Sequence, residues 1–244
     1  MARHVLETVD STNAHGLRLA PELRGPAWFL ALSQTRGRGR RARAWSSARG
    51  NFHATLVLHP TEPAATVALR SFSAALALRE ALVALTGTPQ AFSLKWPNDV
   101  LLNGGKVAGI LLESQGAAEG RIGHLAIGIG VNLIAAPDPE LIEPGATRPV
   151  TVLAETGQRL NPETLLNHLA PAYAGWEALF QARGFAPLRD SWLSHAARLG
   201  EVITARTGSA THLGRFETLD PTGALVLATP QGRLSIPAAE VFFP

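Results

Sequence analysis

The chain of 244 residues contains no cysteine, two lysines, one tyrosine and one methionine. Without a thiol there is no disulfide, no thiolate zinc site and no acyl-thioester chemistry on the protein itself. No apolar run reaches the roughly 18 residues that a membrane-spanning helix requires. The opening MARHVLETVDSTN meets Glu7 and Asp10 before an apolar segment can form, so no secretory signal is expected and the expected setting is cytoplasmic. The histidines show neither an HxH nor an HExxH spacing, and no G-x-S-x-G elbow occurs. His53 and His59, on one segment, read as surface residues, and useful pairs of carboxylates are missing near the motifs described below.

With 46% apolar and 17% charged residues, the composition is that of a folded chain with a real core. Its length suits one good-sized domain plus a smaller one. The net charge of +3 is concentrated in one place. Arg36, Arg38, Arg40, Arg41 and Arg43 crowd into SQTRGRGRRARAW, and removing them would leave the rest of the chain slightly negative. A protein that tracks a polynucleotide needs positive charge spread over several elements, and no such stripe is present. Both lysines, Lys95 and Lys106, fall in LKWPNDVLLNGGKVAGILLES. A compact ammonium survives in an otherwise arginine-using chain where a guanidinium cannot replace it, which marks this segment for chemistry.

Periodicity predicts a strand at HVLETV, a helix from the Asp10–Asn13 caps to about Ala20, and a strand at AWFLALSQT running into the arginine loop. NFHATLVLH reads as a strand, residues 64–86 as one long buried helix ending at Gly87, and AFSLKW as a strand stopped by Pro97. DVLLNGGKVAGILLES is two apolar runs about Asn103-Gly104, a strong hairpin signal. RIGHLAIGIGVNLIA is a glycine-rich strand where a ligand or backbone must come close. The proline-rich stretch 135–149 reads as an irregular loop. Asn161-Pro162-Glu163 opens a helix, with Leu165, Leu166, Leu169, Tyr173, Trp176, Leu179 and Phe180 as its core stripe. APLRDSWLSHAARLG is a further helix closed by Gly200. Beyond it come short strands and turns, predicting a β-barrel of SH3-like size. The boundaries expected are 1–198 for the larger domain, which holds all the motifs described below, and 199–244 for the C-terminal β domain.

Gly37-Arg38-Gly39-Arg40-Arg41-Ala42 fits the spacing of a dinucleotide-binding turn, but that turn must open a helix, and four arginines would oppose the positive helix end. NGGKVAG lacks the first glycine and the hydroxyl residue of a P-loop. What remains is a loop that folds around a phosphate. Each charge-assisted bond contributes roughly 1.5–3 kcal/mol. Ordering the loop costs about 1–2 kcal/mol per residue, so the loop is expected to order only around a ligand.

In order along the chain, DSTN (10–13), QTRGRGRRARAW (34–45), KWPNDVLLNGGKVAGIL (95–111) and IGIGVNL (127–133), then the small β-domain, resemble the biotin protein ligases. The resemblance implies an α+β fold, a mixed sheet flanked by helices like that of class II aminoacyl-tRNA synthetases. It also implies the form that is only an enzyme, without a DNA-binding winged helix. It implies ATP with Mg as co-substrate, biotin as substrate, no prosthetic group, and a biotin carboxyl carrier protein as partner. No DNA or membrane is expected to bind, and the enzyme would be a monomer or homodimer. Ser11, Thr12, Asn13 and Gln34 would read the biotin ring. Gly37, Arg38, Gly39 and Arg40 would hold its chain and the phosphates, helped by Arg41, Arg43 and Trp45. A left-handed backbone at Ala42, where the family has glycine, would cost about 1 kcal/mol. Lys106 would be the essential lysine, with Gly109 letting the backbone pass the ligand, Asn132 on the adenylate, and Asp99 and Asn98 for Mg or the incoming amine. Lipoate–protein ligases share this fold and chemistry, and an Arg-loop nucleic-acid-binding module is the alternative from another class.

Overall fold

The computed structural model describes residues 1–116, 121–138, 142–143 and 145–243. The apolar runs become β1 (Ala2–Val9), β2 (Ala27–Gln34), β3 (Phe52–Leu58), β4 (Phe92–Lys95), β5 (Asp99–Leu102), β6 (Gly105–Gln115) and β7 (His124–Val131). These pair in the order β1-β2-β3-β7-β6-β5-β4, with β1 parallel to β2 and every other pair antiparallel. The expected mixed sheet is therefore present.

Alternation decides which face does what. On β7, Leu125, Ile127, Ile129 and Val131 face the helices and are buried, while Gly128 and Gly130 face the other way. The helix-covered face packs against α3 (Arg70–Thr86) and α5 (Pro162–Arg183), and α6 (Ala186–Ser194) packs on those two helices. Burying a side chain such as Leu78, Leu82 or Leu169 there stabilises by about 1.5–3 kcal/mol each. α5 starts as its sequence dictates: Asn161 Oδ1 accepts from the amides of Glu163 and Thr164, with Pro162 in the first turn. The other face is left to α1 (Thr12–Leu19) and to a cleft.

Two expected elements are shorter than the periodicity suggested. Residues 64–86 form two helices, α2 (Ala64–Ala68) and α3, because the chain tightens at Leu69, whose amide bonds back to Thr66 O. Arg70, the first residue of α3, enters the interior and pairs with Glu62 and Glu177, both at 2.7 Å. The helix expected to close at Gly200 ends at Ser194. There the backbone leaves the helix to pair with β4: Leu94 N donates to His195 O and Ala197 N donates to Leu94 O. A short α4 (Val152–Thr156) caps the loop after β7.

The C-terminal segment forms β8 (Val202–Arg206), β9 (Thr211–Leu219), β10 (Leu225–Thr229), β11 (Gly232–Ile236) and β12 (Glu240–Phe242), an antiparallel sheet in the order β11-β10-β9-β8-β12. The stretch RLSIPAAEVFF divides into β11 and β12 around Pro237, which cannot donate to a ladder. One continuous cluster of buried apolar residues joins Ile203, Phe216 and Leu227 to the core of the large sheet. Trp96 Nε1 donates to Gly223 O at 3.0 Å across that junction.

Candidate active site

The cleft is built on two cross-strand rows. In the first, Thr55 of β3, Gly128 of β7 and Leu111 of β6 lie side by side. In the second, His53, Gly130, Gly109 and Asp99 line up across β3, β7, β6 and β5. Glycine at the middle of each row opens a trough. A Cβ on Gly128 would lie 2.3 Å from Asn13 Oδ1, and one on Gly130 would lie 2.5 Å from the Trp45 ring. The IGIGVN glycines thus admit two side chains of this chain, Asn13 and Trp45, onto the floor. Gly109 has the same duty, with Trp45 at 3.2 Å from its would-be Cβ.

Over the first row, α1 presents Thr12 and Asn13. Thr55 Oγ1 lies 2.6 Å from Asn13 Oδ1 and 2.8 Å from Thr12 Oγ1. Gln34 Oε1 accepts from Thr12 N at 2.8 Å, and Gln34 Nε2 donates to Ser47 Oγ. Asn13 Nδ2 donates to Leu111 O and to Glu113 Oε2. Ser11 precedes α1 in the capping position, yet its hydroxyl makes no capping bond. All of Ser11, Thr12 and Asn13 are buried. Short amides and hydroxyls locked in this way form a dry polar socket, suited to a neutral group with paired donors and acceptors.

Lys106 stands beyond the second row. The Asn103-Gly104 turn has positive φ at both residues, 49° and 78°, as a two-residue hairpin requires. Lys106 is then pinned by its backbone, since its amide donates to Arg148 O and its carbonyl accepts from Val150 N. Its Nζ lies 2.7 Å from Asp99 Oδ1, an ion pair not aligned as a hydrogen bond, and 5.8 Å from the centre of the Trp45 ring. Asn98 Nδ2 donates to Ile110 O, and its Oδ1 accepts from Arg40 Nη1 at 3.4 Å. Burial lowers the Arg40 pKa, partly offset by Asp99. Asn132 is buried on the cleft wall with Oδ1 lacking a partner among the described residues.

The arginine loop closes the cleft as a short hairpin, with Gly39 N bonded to Arg43 O and Trp45 N to Gly37 O. It opens no α-helix, only one 3-10 turn at Arg40–Ala42. The left-handed residue is Arg41 (φ 54°), so the strain expected at Ala42 falls on its neighbour. Gly37 is enclosed by Ser47 and the Trp45 carbonyl, whereas Gly39 is open. Arg38 binds the Glu113 carboxylate at 3.0 Å, Arg41 binds Glu240 at 2.7 Å, and Arg43 binds Glu143 and Glu240 at 2.8 and 2.9 Å. Only pairs of carboxylates at useful spacing in the sequence were not expected near the motifs; these carboxylates come together in space. Glu143 comes from the proline-rich stretch and Glu240 from the last strand, and no local pattern points to either. Glu113 alone had a signal, since it falls on the same β6 face as Gly109 and Leu111.

Of the residues singled out in the sequence, most line this one cleft; Gly37 and Arg41 support the loop from outside it. His53 was missed, and Lys95, marked with Lys106 by its rarity, was given no role of its own. His53 is not a surface residue: it is 1% exposed and lines the cleft, because β3 is covered on both faces. Lys95, also lining the cleft, donates to Thr147 Oγ1 at 2.6 Å, sits over the Phe243 ring, and has its pKa lowered by burial. His59, by contrast, is exposed past the end of β3. The described residues contain no group of three or more histidines and carboxylates able to hold a metal ion, and none of their helices is long and apolar enough to cross a membrane.

Residues 5–132 match the model of the biotin/lipoate A/B protein ligase family, and residues 199–243 match that of the biotin protein ligase C terminal domain. The chain is 56% identical over 239 residues to a biotin–[acetyl-CoA-carboxylase] ligase of Paracoccus denitrificans, covering 98% of this chain and 99% of that one. It is 30% identical to the bifunctional ligase/repressor BirA of Escherichia coli, over 91% of this chain and 68% of that protein. The structure is similar to the biotin protein ligase from Aquifex aeolicus in complex with biotin and ATP, with a TM-score of 0.82 and 28% identity over 98% and 97% of the two chains. The glycine trough, the polar socket and the pinned lysine therefore sit in a chain that belongs to the biotin protein ligases of the biotin/lipoate A/B protein ligase family.

Proposed function

We propose that this protein activates biotin with ATP and transfers it to a lysine of a biotin carboxyl carrier protein. The carboxylate of biotin attacks the α-phosphorus, a carboxyl–phosphate bond forms, and pyrophosphate leaves. The neutral amine of the carrier lysine then attacks the acyl carbon of biotinyl-5′-AMP, an amide forms, AMP leaves with the electron pair of the anhydride bond, and the nitrogen gives up one proton to solvent.

The observation that carries this reading is that Lys106, paired with Asp99, lines one cleft together with the Thr12–Asn13–Gln34 socket and with Arg38 and Arg40. An ammonium there reduces repulsion between two anions and stabilises the charge that grows on the phosphoryl oxygens. Holding both reactants in line lowers the barrier by up to about 7–11 kcal/mol. Ser11, Thr12, Asn13 and Gln34 bind the ureido ring. Gly37 and Gly39 shape the loop, Gly109 and Trp45 form the wall beside the acyl chain and nucleotide, and Asn132, Arg41 and Arg43 complete the nucleotide side. The loop keeps water from the anhydride.

Magnesium would arrive on the ATP phosphates. One carboxylate and one amide, Asp99 and Asn98, fit an ion that keeps most of its ligands from phosphate and water, and they do not form a protein cage. Bound there it would neutralise phosphate charge. Asp99 is also the carboxylate that can orient the incoming amine.

We assign residues 1–198 to the catalytic unit and 199–244 to the β unit, and place the reaction in the cytoplasm, by a monomer or homodimer acting on the carrier without DNA. The test is exchange of labelled pyrophosphate into ATP. Exchange should require biotin and magnesium, and lipoate should not replace biotin. Equal exchange without biotin, or with lipoate alone, rejects the reading.

A further inference from the structure

Four buried polar atoms on the cleft side of the sheet lack a hydrogen-bond partner among the described residues; Asp99 Oδ1 is ion-paired with Lys106, and the other three, Trp45 Nε1, His53 Nδ1 and Asn132 Oδ1, have no charge partner either. They belong together. His53 and Gly130 are cross-strand neighbours, the Trp45 ring lies on Gly130, and Asn132 follows two residues later. His53 is the member for which the reaction above has no use. Its Nε2 lies 3.4 Å from Ala48 O, and a carbonyl only accepts. That nitrogen therefore carries the proton, which leaves Nδ1 as an acceptor. Burial lowers the pKa of this imidazole and keeps it neutral, so the acceptor persists. An acceptor sealed in a dry site without a donor is costly to the fold, and it persists where a ligand supplies the donor.

The neighbouring row shows which part of the ligand that is. Thr55 lies two residues further along β3, about 7 Å away, and its polar surroundings are already closed by Thr12, Asn13 and Gln34. The biotin ring, on the reading above, occupies that socket. The His53 row instead offers a flat indole, one N–H donor and two acceptors, which is the complement of a nucleobase edge carrying an amino group beside a ring nitrogen.

We propose that His53 Nδ1 accepts a hydrogen bond from the exocyclic amino group of the adenine of bound ATP, making His53 a specificity residue for the nucleotide. This inference rests on the ligase reading. Inosine triphosphate carries a carbonyl where adenine carries the amine, so it cannot make the bond.

The experiment is biotin-dependent pyrophosphate exchange with ATP, inosine triphosphate and 2′-deoxyATP, for the wild type and for His53→Phe, His53→Gln and His53→Asn. In His53→Phe and His53→Gln the KM for ATP should rise about tenfold, the loss of one good hydrogen bond, with little change in kcat or in the KM for biotin. Discrimination against inosine triphosphate should collapse in both. His53→Asn places an amide oxygen near the Nδ1 position and should restore most of the preference. Calorimetric titration of ATP onto each variant reads the same loss where turnover is slow, and His53→Gln keeps a neutral polar side chain should the ring substitution unfold the protein. Unchanged nucleotide preference, an effect on biotin instead, or loss of discrimination only against 2′-deoxyATP would each overturn the assignment. Absence of biotin-dependent exchange in the wild type would reject the ligase reading instead.

Discussion

At the scale of the residue, the site depends on where two kinds of small differences fall. Lys106 is one of two lysines in the chain, and its ammonium is held by Asp99 while its backbone is held on both sides. In Lys106→Ala, biotin-dependent exchange should fall at least a thousandfold, about 4 kcal/mol of lost transition-state stabilisation, while the melting temperature stays within a few degrees. Near-normal exchange would remove the role assigned to it. Gly130 tests the trough. Its Cβ would meet Trp45 at 2.5 Å, so Gly130→Ala should displace the indole and change Trp45 emission, while raising the KM for ATP. A crystal structure with Trp45 unmoved in that variant would contradict the account. Lys106 and the glycines were legible in the sequence, because rare residue types at motif spacing stand out. His53 was not. A histidine in an apolar strand carries no mark of which face is cleft until its partners across the sheet are known.

At the scale of the element, the strand and helix pattern followed from periodicity, and the exceptions have local causes. The kink at Leu69 accompanies the burial of Arg70, a residue 2% exposed whose guanidinium bonds Glu177 at 2.7 and 3.1 Å and Glu62 at 2.7 Å. Glu177 in turn accepts from Tyr173, whose pKa burial raises well above normal. Removing one partner leaves a buried charge without compensation. Arg70→Ala should therefore destabilise the protein by about 3–5 kcal/mol in urea denaturation, without changing the KM for biotin or ATP. A loss under 1 kcal/mol would mean that Glu177 is relieved by water or by protonation. The early end of α6 has a similar origin: a free β4 edge takes the His195–Ala197 backbone, which helix periodicity cannot report.

At the scale of the whole molecule, the C-terminal sheet reaches into the cleft. Glu240 of β12 binds Arg41 and Arg43, Ala239 O faces Arg40, and Glu143 ties Arg43 to Arg206 of β8. The loop's guanidiniums thus rest on carboxylates in this structure, and phosphates must compete for them. Such partly exposed pairs are individually weak, so together they form a latch that a polyanion can replace. Glu240→Ala should loosen it: trypsin should cut between Arg36 and Arg43 several times faster, and biotin with ATP should restore protection. Mass spectrometry of the digest would read this, and an unchanged cleavage rate would show that the latch is held elsewhere.

The sequence by itself determined most of the elements and the hairpin that carries Lys106, because each is written in spacing or in a rare residue at a fixed place, and its ordered motifs carried the resemblance that implied the family and the mixed sheet. Only the tertiary structure decided that Asn13 and Trp45 fill the glycine trough, that His53 faces the cleft, and that Glu143 and Glu240 answer the arginines. Those pairings join residues up to 199 positions apart. Local periodicity fixes which way a side chain points from its own element, whereas what stands opposite it is set by how the elements pack.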